Sequence, residues 1–157
     1  MTFSPQDPKF GERCRKAFAN QSTMASLGVK IVEIEAGRVT FDMPQHPEFS
    51  QQHGFLHGGI IATVLDSACG FSAMSLLPSD GEILTIEFKT NFLRPAKGNL
   101  FRFRGHVVKA GRTVTFAEAE AFALSGEREI EIARMSATMM AVYDRADVQQ
   151  RHVKTEA

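Results

Sequence analysis

HGGIIATVLDSACGFSAMSLL, residues 57–77, is the stretch that decides the fold. It opens on two adjacent glycines. It stops where Pro78 and the Ser79-Asp80-Gly81 turn end a helix. Between those points it is apolar almost all round, which marks a helix that must be wrapped by other elements rather than laid on a surface. Asp66, Ser67, Ser72 and Ser75 interrupt it. No stretch of the chain reaches the roughly 20 apolar residues that span a bilayer. The segment therefore reads as a buried core helix, and no membrane partner is expected.

Four extended segments follow, over 84–93, 100–109, 113–124 and 129–143, rich in β-branched and aromatic residues. Tight turns at 110–112 and 125–127 join the last three. Upstream, 27–35 alternates apolar and polar residues, and Gly37 separates it from 38–43 as in a hairpin. Phe10, Cys14, Ala17, Phe18 and Met24 predict an amphipathic helix over 10–24. Residues 1–9 read as a loose leader, 44–55 as an irregular loop, and 144–157 as a frayed charged tail. Strands joined by short turns are expected to lie antiparallel and adjacent. The expected class is α+β, an antiparallel sheet wrapped around one long central helix. At 157 residues there is room for a single domain spanning 1–157, with its core at about 25–143.

Composition narrows the function. Apolar residues make up 43% and charged residues 23%, so the chain is no disordered polymer. Its 18 basic and 18 acidic side chains cancel, which disfavours a nucleic-acid partner. Cys14 and Cys69 form neither a disulfide framework nor a metal-ligand spacing. The opening MTFSPQDPKF lacks the apolar run of a signal peptide. These features predict reduced thiols, a cytoplasmic location and no metal.

Asp66 carries the chemistry. A carboxylate among Val64, Leu65, Ala68 and Cys69 is costly unless it is paired or used. It either lies on a solvent stripe, or accepts hydrogen bonds from its surroundings, or reacts. The turn-rich run Gln51-Gln52-His53-Gly54-Phe55-Leu56-His57-Gly58-Gly59 leads into the helix. A helix N-terminus presents unpaired N–H groups and a positive dipole end, and glycine admits a ligand close to them. Gly58 could then polarise a carbonyl as an oxyanion hole, or the glycines could simply ease a turn. Phe49, Phe55, Phe71, Met74 and Leu77 are candidates for an apolar pocket.

The run from Gln51 to Ala73 resembles hotdog-fold thioesterases of the phenylacetate-degradation (PaaI) type: an amide side chain, His-Gly-Gly at the helix start, and an Asp within the helix. TIEFKTNFLRPAKGNL from Thr85 and VVKAGRTVTFAEAEAF resemble the strand and hairpin of that family. The resemblance implies a hotdog fold and acyl-CoA substrates hydrolysed without a cofactor, CoA being part of the substrate. It also implies a homodimer with a continuous sheet, usually paired into a homotetramer. It makes Asp66 the nucleophile or general base and Gly58 the oxyanion donor, with Gly59 beside the substrate. Gln51, in place of the family's Asn or Gln, would help to position water or thioester. His57 would neighbour the carbonyl, or else bond to backbone. Thr85 would hold the attacking water, or else serve as a plain strand residue. Arg94, Lys97, Lys109 and Arg112 lie in or beside turns, where they could meet the CoA phosphates. A hotdog 3-hydroxyacyl thioester dehydratase, using His53 or His57, and a non-catalytic acyl-CoA sensor are the alternatives. A single helix cannot bring Gly58 and Asp66 onto one carbonyl, because eight residues span about 12 Å. Shared sites in a dimer are therefore expected.

Overall fold

The computed structural model describes residues 3–126 and 128–143. The expected tail and Glu127 of the last turn lie outside the described residues. The elements run α1 (Phe10–Ala19), α2 (Ser22–Ser26), β1 (Lys30–Glu35), β2 (Arg38–Pro44), α3 (Gly58–Met74), β3 (Glu82–Phe92), β4 (Leu100–Lys109), β5 (Val114–Ser125) and β6 (Arg128–Val142). All strand pairs are antiparallel. The six strands form one sheet in the order β1-β2-β4-β5-β6-β3. It wraps α3, as expected of a hotdog fold.

Side-chain size explains how closely the sheet wraps the helix. Ala117, Ala119, Ala121 and Ala123 of β5, with Ala133, Ala137 and Ala141 of β6, occupy the buried face. Small side chains there let the helix approach, while Phe101 and Phe103 of β4 fill the flank. Gly105 is the tightest point. A methyl group there would overlap the Ala68 carbonyl of α3 and come within 2.8 Å of the Ser72 hydroxyl. Gly105→Ala should therefore cost about 3 kcal/mol, because backbone cannot rotate away as a side chain can. For this length that is a drop of about 6–12 °C in thermal midpoint, readable by calorimetry. An unchanged midpoint would contradict the close contact.

Three expectations need correction. The helix predicted over 10–24 is two helices, broken at Asn20 and Gln21. The strand predicted from Leu27 begins at Lys30, since Leu27 caps α2 and Gly28 turns the chain at φ +68°. Its alternation also fails at a bulge between Ile31 and Glu33. The described part of the leader, 3–9, is docked rather than loose: the Gln6 N–H donates to the Leu76 carbonyl, and Asp7 is buried against Arg13. The Arg13 guanidinium also donates to the carbonyls of Met74, Leu77 and Gly81. A helix end leaves such carbonyls unpaired and favours a cation, so Arg13 ties α1 to the C-terminal end of α3.

Short turns do place β1 beside β2, β4 beside β5 and β5 beside β6. They do not place β3 beside β4. Residues 93–99 carry the chain past β6 and β5 from one sheet edge to the interior. That is three strand spacings, about 14 Å, within reach of seven residues. The Leu93 and Arg94 N–H groups bond to the Ile132 carbonyl on the way. β3 is left at an edge, with Ile86 52%, Phe88 46% and Phe92 55% exposed.

Candidate active site

Asp66 lies on the face of α3 that looks toward β3. It is half-buried, and one carboxylate oxygen accepts a hydrogen bond of 2.8 Å from the Thr85 hydroxyl. Burial raises its pKa above the ordinary carboxylate value, and the Thr85 bond opposes that rise. The pair opens onto a cavity of about 270 Å³. Ser67, Gly70, Phe71 and Met74 continue its wall along α3, one helical face below Asp66. Ala17, Asn20 and Gln21, at the break between α1 and α2, close one side; Glu82 and Ile83 of β3 close the other. Of the apolar candidates, Phe71 and Met74 line this cavity; Phe49, Phe55 and Leu77 do not.

The start of α3 forms a second feature. His57 is the N-cap, and its Nδ1 accepts the Gly59 N–H at 2.9 Å. Its carbonyl takes the Ile60 and Ile61 N–H groups. The Gly58 N–H is then left without an acceptor among the described residues. Of the two glycines, Gly58 alone keeps a free N–H among the described residues. The Phe92 ring lies over Gly58, 3.0 Å from where a Cβ would stand. Gln51 turns back on its own loop: its side-chain oxygen accepts the His53 N–H, and its backbone closes a turn with Gly54 and Phe55.

The structure joins Asp66 to Thr85 and gathers His57, Gly58 and Gly59, but these two groups stay separate. Eight residues of helix hold them about 12 Å apart. The four cations also divide. Arg94 and Lys97 line one groove beyond the Phe92 end of β3, where Arg94 donates to the Glu131 carbonyl. Lys109 and Arg112 belong to the β4–β5 turn, at the other end of the sheet. The Thr113 carbonyl, next to Arg112, binds the Ala141 N–H, and Ala141 pairs with Ile83. From Ile83 to Arg94 is about 35 Å of strand.

The sequence reading missed Gly70, Glu82 and Phe92. Gly70 had a signal, a small residue one helical turn beyond Asp66 on the same face. Phe92 and Glu82 had none, since only the fold sets β3 against α3.

Among the described residues, no group of three or more His, Cys, Asp and Glu side chains is arranged to hold a metal, and no helix is long and apolar enough to cross a membrane. Both cysteines are buried free thiols. A family model described as "Thioesterase superfamily" matches residues 53–130. The crystal structure of a thioesterase family protein from Silicibacter pomeroyi is 50% identical, with a TM-score of 0.84, over 85% of this chain and 98% of that one. The E. coli PaaI protein, from the phenylacetic acid degradation operon, shares the fold at 16% identity, with a TM-score of 0.78 over 87% of this chain and 96% of that one. A medium/long-chain acyl-CoA thioesterase, YigI of Salmonella typhimurium, is 32% identical over 98 residues, 54% of this chain and 61% of that protein. Against archaeal relatives that carry esterase names, the chain spans 66% of their length.

Proposed function

The chain belongs to the thioesterase superfamily and is a thioester hydrolase, and on that premise we propose that it cleaves acyl-CoA in sites shared between two copies of the chain. The observation that carries this reading is the half-buried Asp66, bonded to Thr85 at the mouth of a cavity, on the helix whose first N–H is unpaired.

In the proposed reaction Asp66 acts as general base. The Thr85 hydroxyl fixes one of its oxygens and leaves the other for a water. Asp66 takes a proton from that water, and the resulting hydroxide attacks the thioester carbonyl carbon. The Gly58 N–H of the second copy receives the developing oxyanion. Collapse breaks the C–S bond, and the CoA thiolate takes the proton back from Asp66. Water is consumed, and a free acid and a thiol leave. This scheme uses no metal and no cofactor.

The proposed dimer rests on β3. Its free edge and exposed Ile86, Phe88 and Phe92 suit pairing with a second β3. Antiparallel pairing about a two-fold axis near Phe88 and Lys89 brings Thr85 opposite Phe92 of the second copy. Asp66 then meets the partner's helix start. The same operation brings Lys109 and Arg112 of one copy toward Arg94 and Lys97 of the other, a cluster fit for the phosphates of CoA.

Release of free thiol from acyl-CoA tests the reaction, and the matching acyl-pantetheine tests the phosphate contacts. Arg112→Ala and Lys97→Ala should each raise KM for acyl-CoA about three- to tenfold, the effect of losing one charge-assisted contact. They should leave KM for the pantetheine ester unchanged. Equal effects on both esters would remove these residues from the nucleotide site, and absence of thiol release from acyl-CoA would remove the function.

A further inference from the structure

The cavity beside Asp66 contains a second carboxylate that the proposed reaction does not use. Glu82 stands at the start of β3, three residues before Thr85 and so about 10 Å along the strand. Its side chain lines the same cavity and is half-buried. No hydrogen bond or ion pair reaches it among the described residues. The nearby Arg13 is bonded instead to Asp7 and to three carbonyls. Between Asp66 and Glu82 the wall is mixed: Phe71, Met74 and Ile83 supply apolar surface, Asn20, Gln21 and Ser67 polar surface, and Gly70 leaves it open.

Resting on the acyl-CoA reading, we propose that Glu82 is a specificity-determining residue: it accepts a hydrogen bond from a hydroxyl carried by the acyl group at its end remote from the thioester. An acyl chain that leaves Asp66 along α3 runs toward Glu82. A fully apolar chain long enough to arrive would cover the carboxyl group and leave it unsatisfied, which is costly. An acyl group ending in a carboxylate would meet two acidic side chains in one cavity. An ammonium would give up more of its water on entering the half-closed cavity than a neutral hydroxyl would. The hydroxyl both satisfies Glu82 and enters without charge. Burial raises the Glu82 pKa, and the nearby Arg13 charge opposes that rise.

The test compares kcat/KM for hexanoyl-CoA and 6-hydroxyhexanoyl-CoA in the parent protein, Glu82→Gln and Glu82→Leu. The parent should prefer the hydroxylated ester by about tenfold or more, because an unpaired buried polar group discriminates strongly. Glu82→Gln, which still offers an acceptor, should keep most of that preference and serves as the conservative control. Glu82→Leu should reverse it in favour of hexanoyl-CoA. Equal use of the two esters by the parent, or an equal change for both in Glu82→Leu, would overturn the role of Glu82 while leaving thioester hydrolysis intact. Failure of the parent to hydrolyse either ester would instead sink the acyl-CoA reading, and this inference with it.

Discussion

Asp66→Asn should lower kcat by about 10³-fold, within the range typical of a positioned acid or base, while raising the thermal midpoint. The two effects have one cause. The carboxyl group is held half-out of water on an apolar helix, and its strongest polar contact is the Thr85 hydroxyl. Burial raises its pKa, which makes the ionised form a better base and also a costly one. A carboxyl group whose folded pKa exceeds its unfolded value stabilises the fold below the unfolded pKa. That contribution is lost as pH rises through the folded value. Above that raised value the native protein carries an ionised, partly desolvated Asp66, and the amide removes that burden while still accepting from Thr85. A gain of a few degrees is expected at neutral pH. It should shrink toward acid pH, where Asp66 is protonated in both states. In the parent, kcat should fall as pH drops through the raised pKa, because the base is then occupied. Stopped-assay kinetics and calorimetry across pH check both arms. Activity of Asp66→Asn within about threefold of the parent would remove Asp66 from the chemistry.

How far the sequence anticipates this site depends on the range of the interactions involved. The central helix was legible because its apolar run, its glycine start and its proline stop are local features. β2, β4, β5 and β6 were legible within a residue or two for the same reason, since alternation and turn residues act over short spans. Asp66 was legible as an anomaly, a carboxylate where burial penalises it. The break between α1 and α2 was not legible, because the apolar spacing carries on across Asn20 and Gln21. Nor was the position of β3. Turn length suggests a neighbour, but β3 pairs with β6 through a register that begins at Glu82 and Val142, 60 residues apart in the chain. Everything that depends on β3 was hidden with it. That includes the cavity floor at Glu82, the ring of Phe92 over Gly58, and the division of the four cations between two ends of the sheet. Thr85 was assigned from resemblance as the holder of the attacking water, and the structure bonds it to Asp66 instead.

Mixing two inactive variants should restore activity. The parent dimer is proposed to hold two sites, each with Asp66 from one copy and the Gly58 N–H from the other. Asp66→Ala removes the base. Gly58→Pro removes the N–H, and the backbone accepts the change. Proline is favoured at the first position of a helix, and it requires an extended residue before it, which His57 is, at φ −63° and ψ 135°. The new ring would press on Phe92, which lies on the proposed pairing strand, so folding and dimer formation by the variant are confirmed before mixing. In a mixed dimer one site carries both lesions and the other carries neither. Each mixed dimer should then show about half the parental activity, and a random equal mixture about a quarter. The expected rise is from a residual near background. If each chain instead completed its own site, every site in the mixture would keep one lesion, and activity would stay at the level of the separate variants. Differently tagged copies, isolated as heterodimers and assayed for thiol release, separate the two cases. Isolated heterodimers of folded chains that remain inactive would exclude the shared site, and with it the β3-to-β3 pairing that brings Thr85 opposite Phe92.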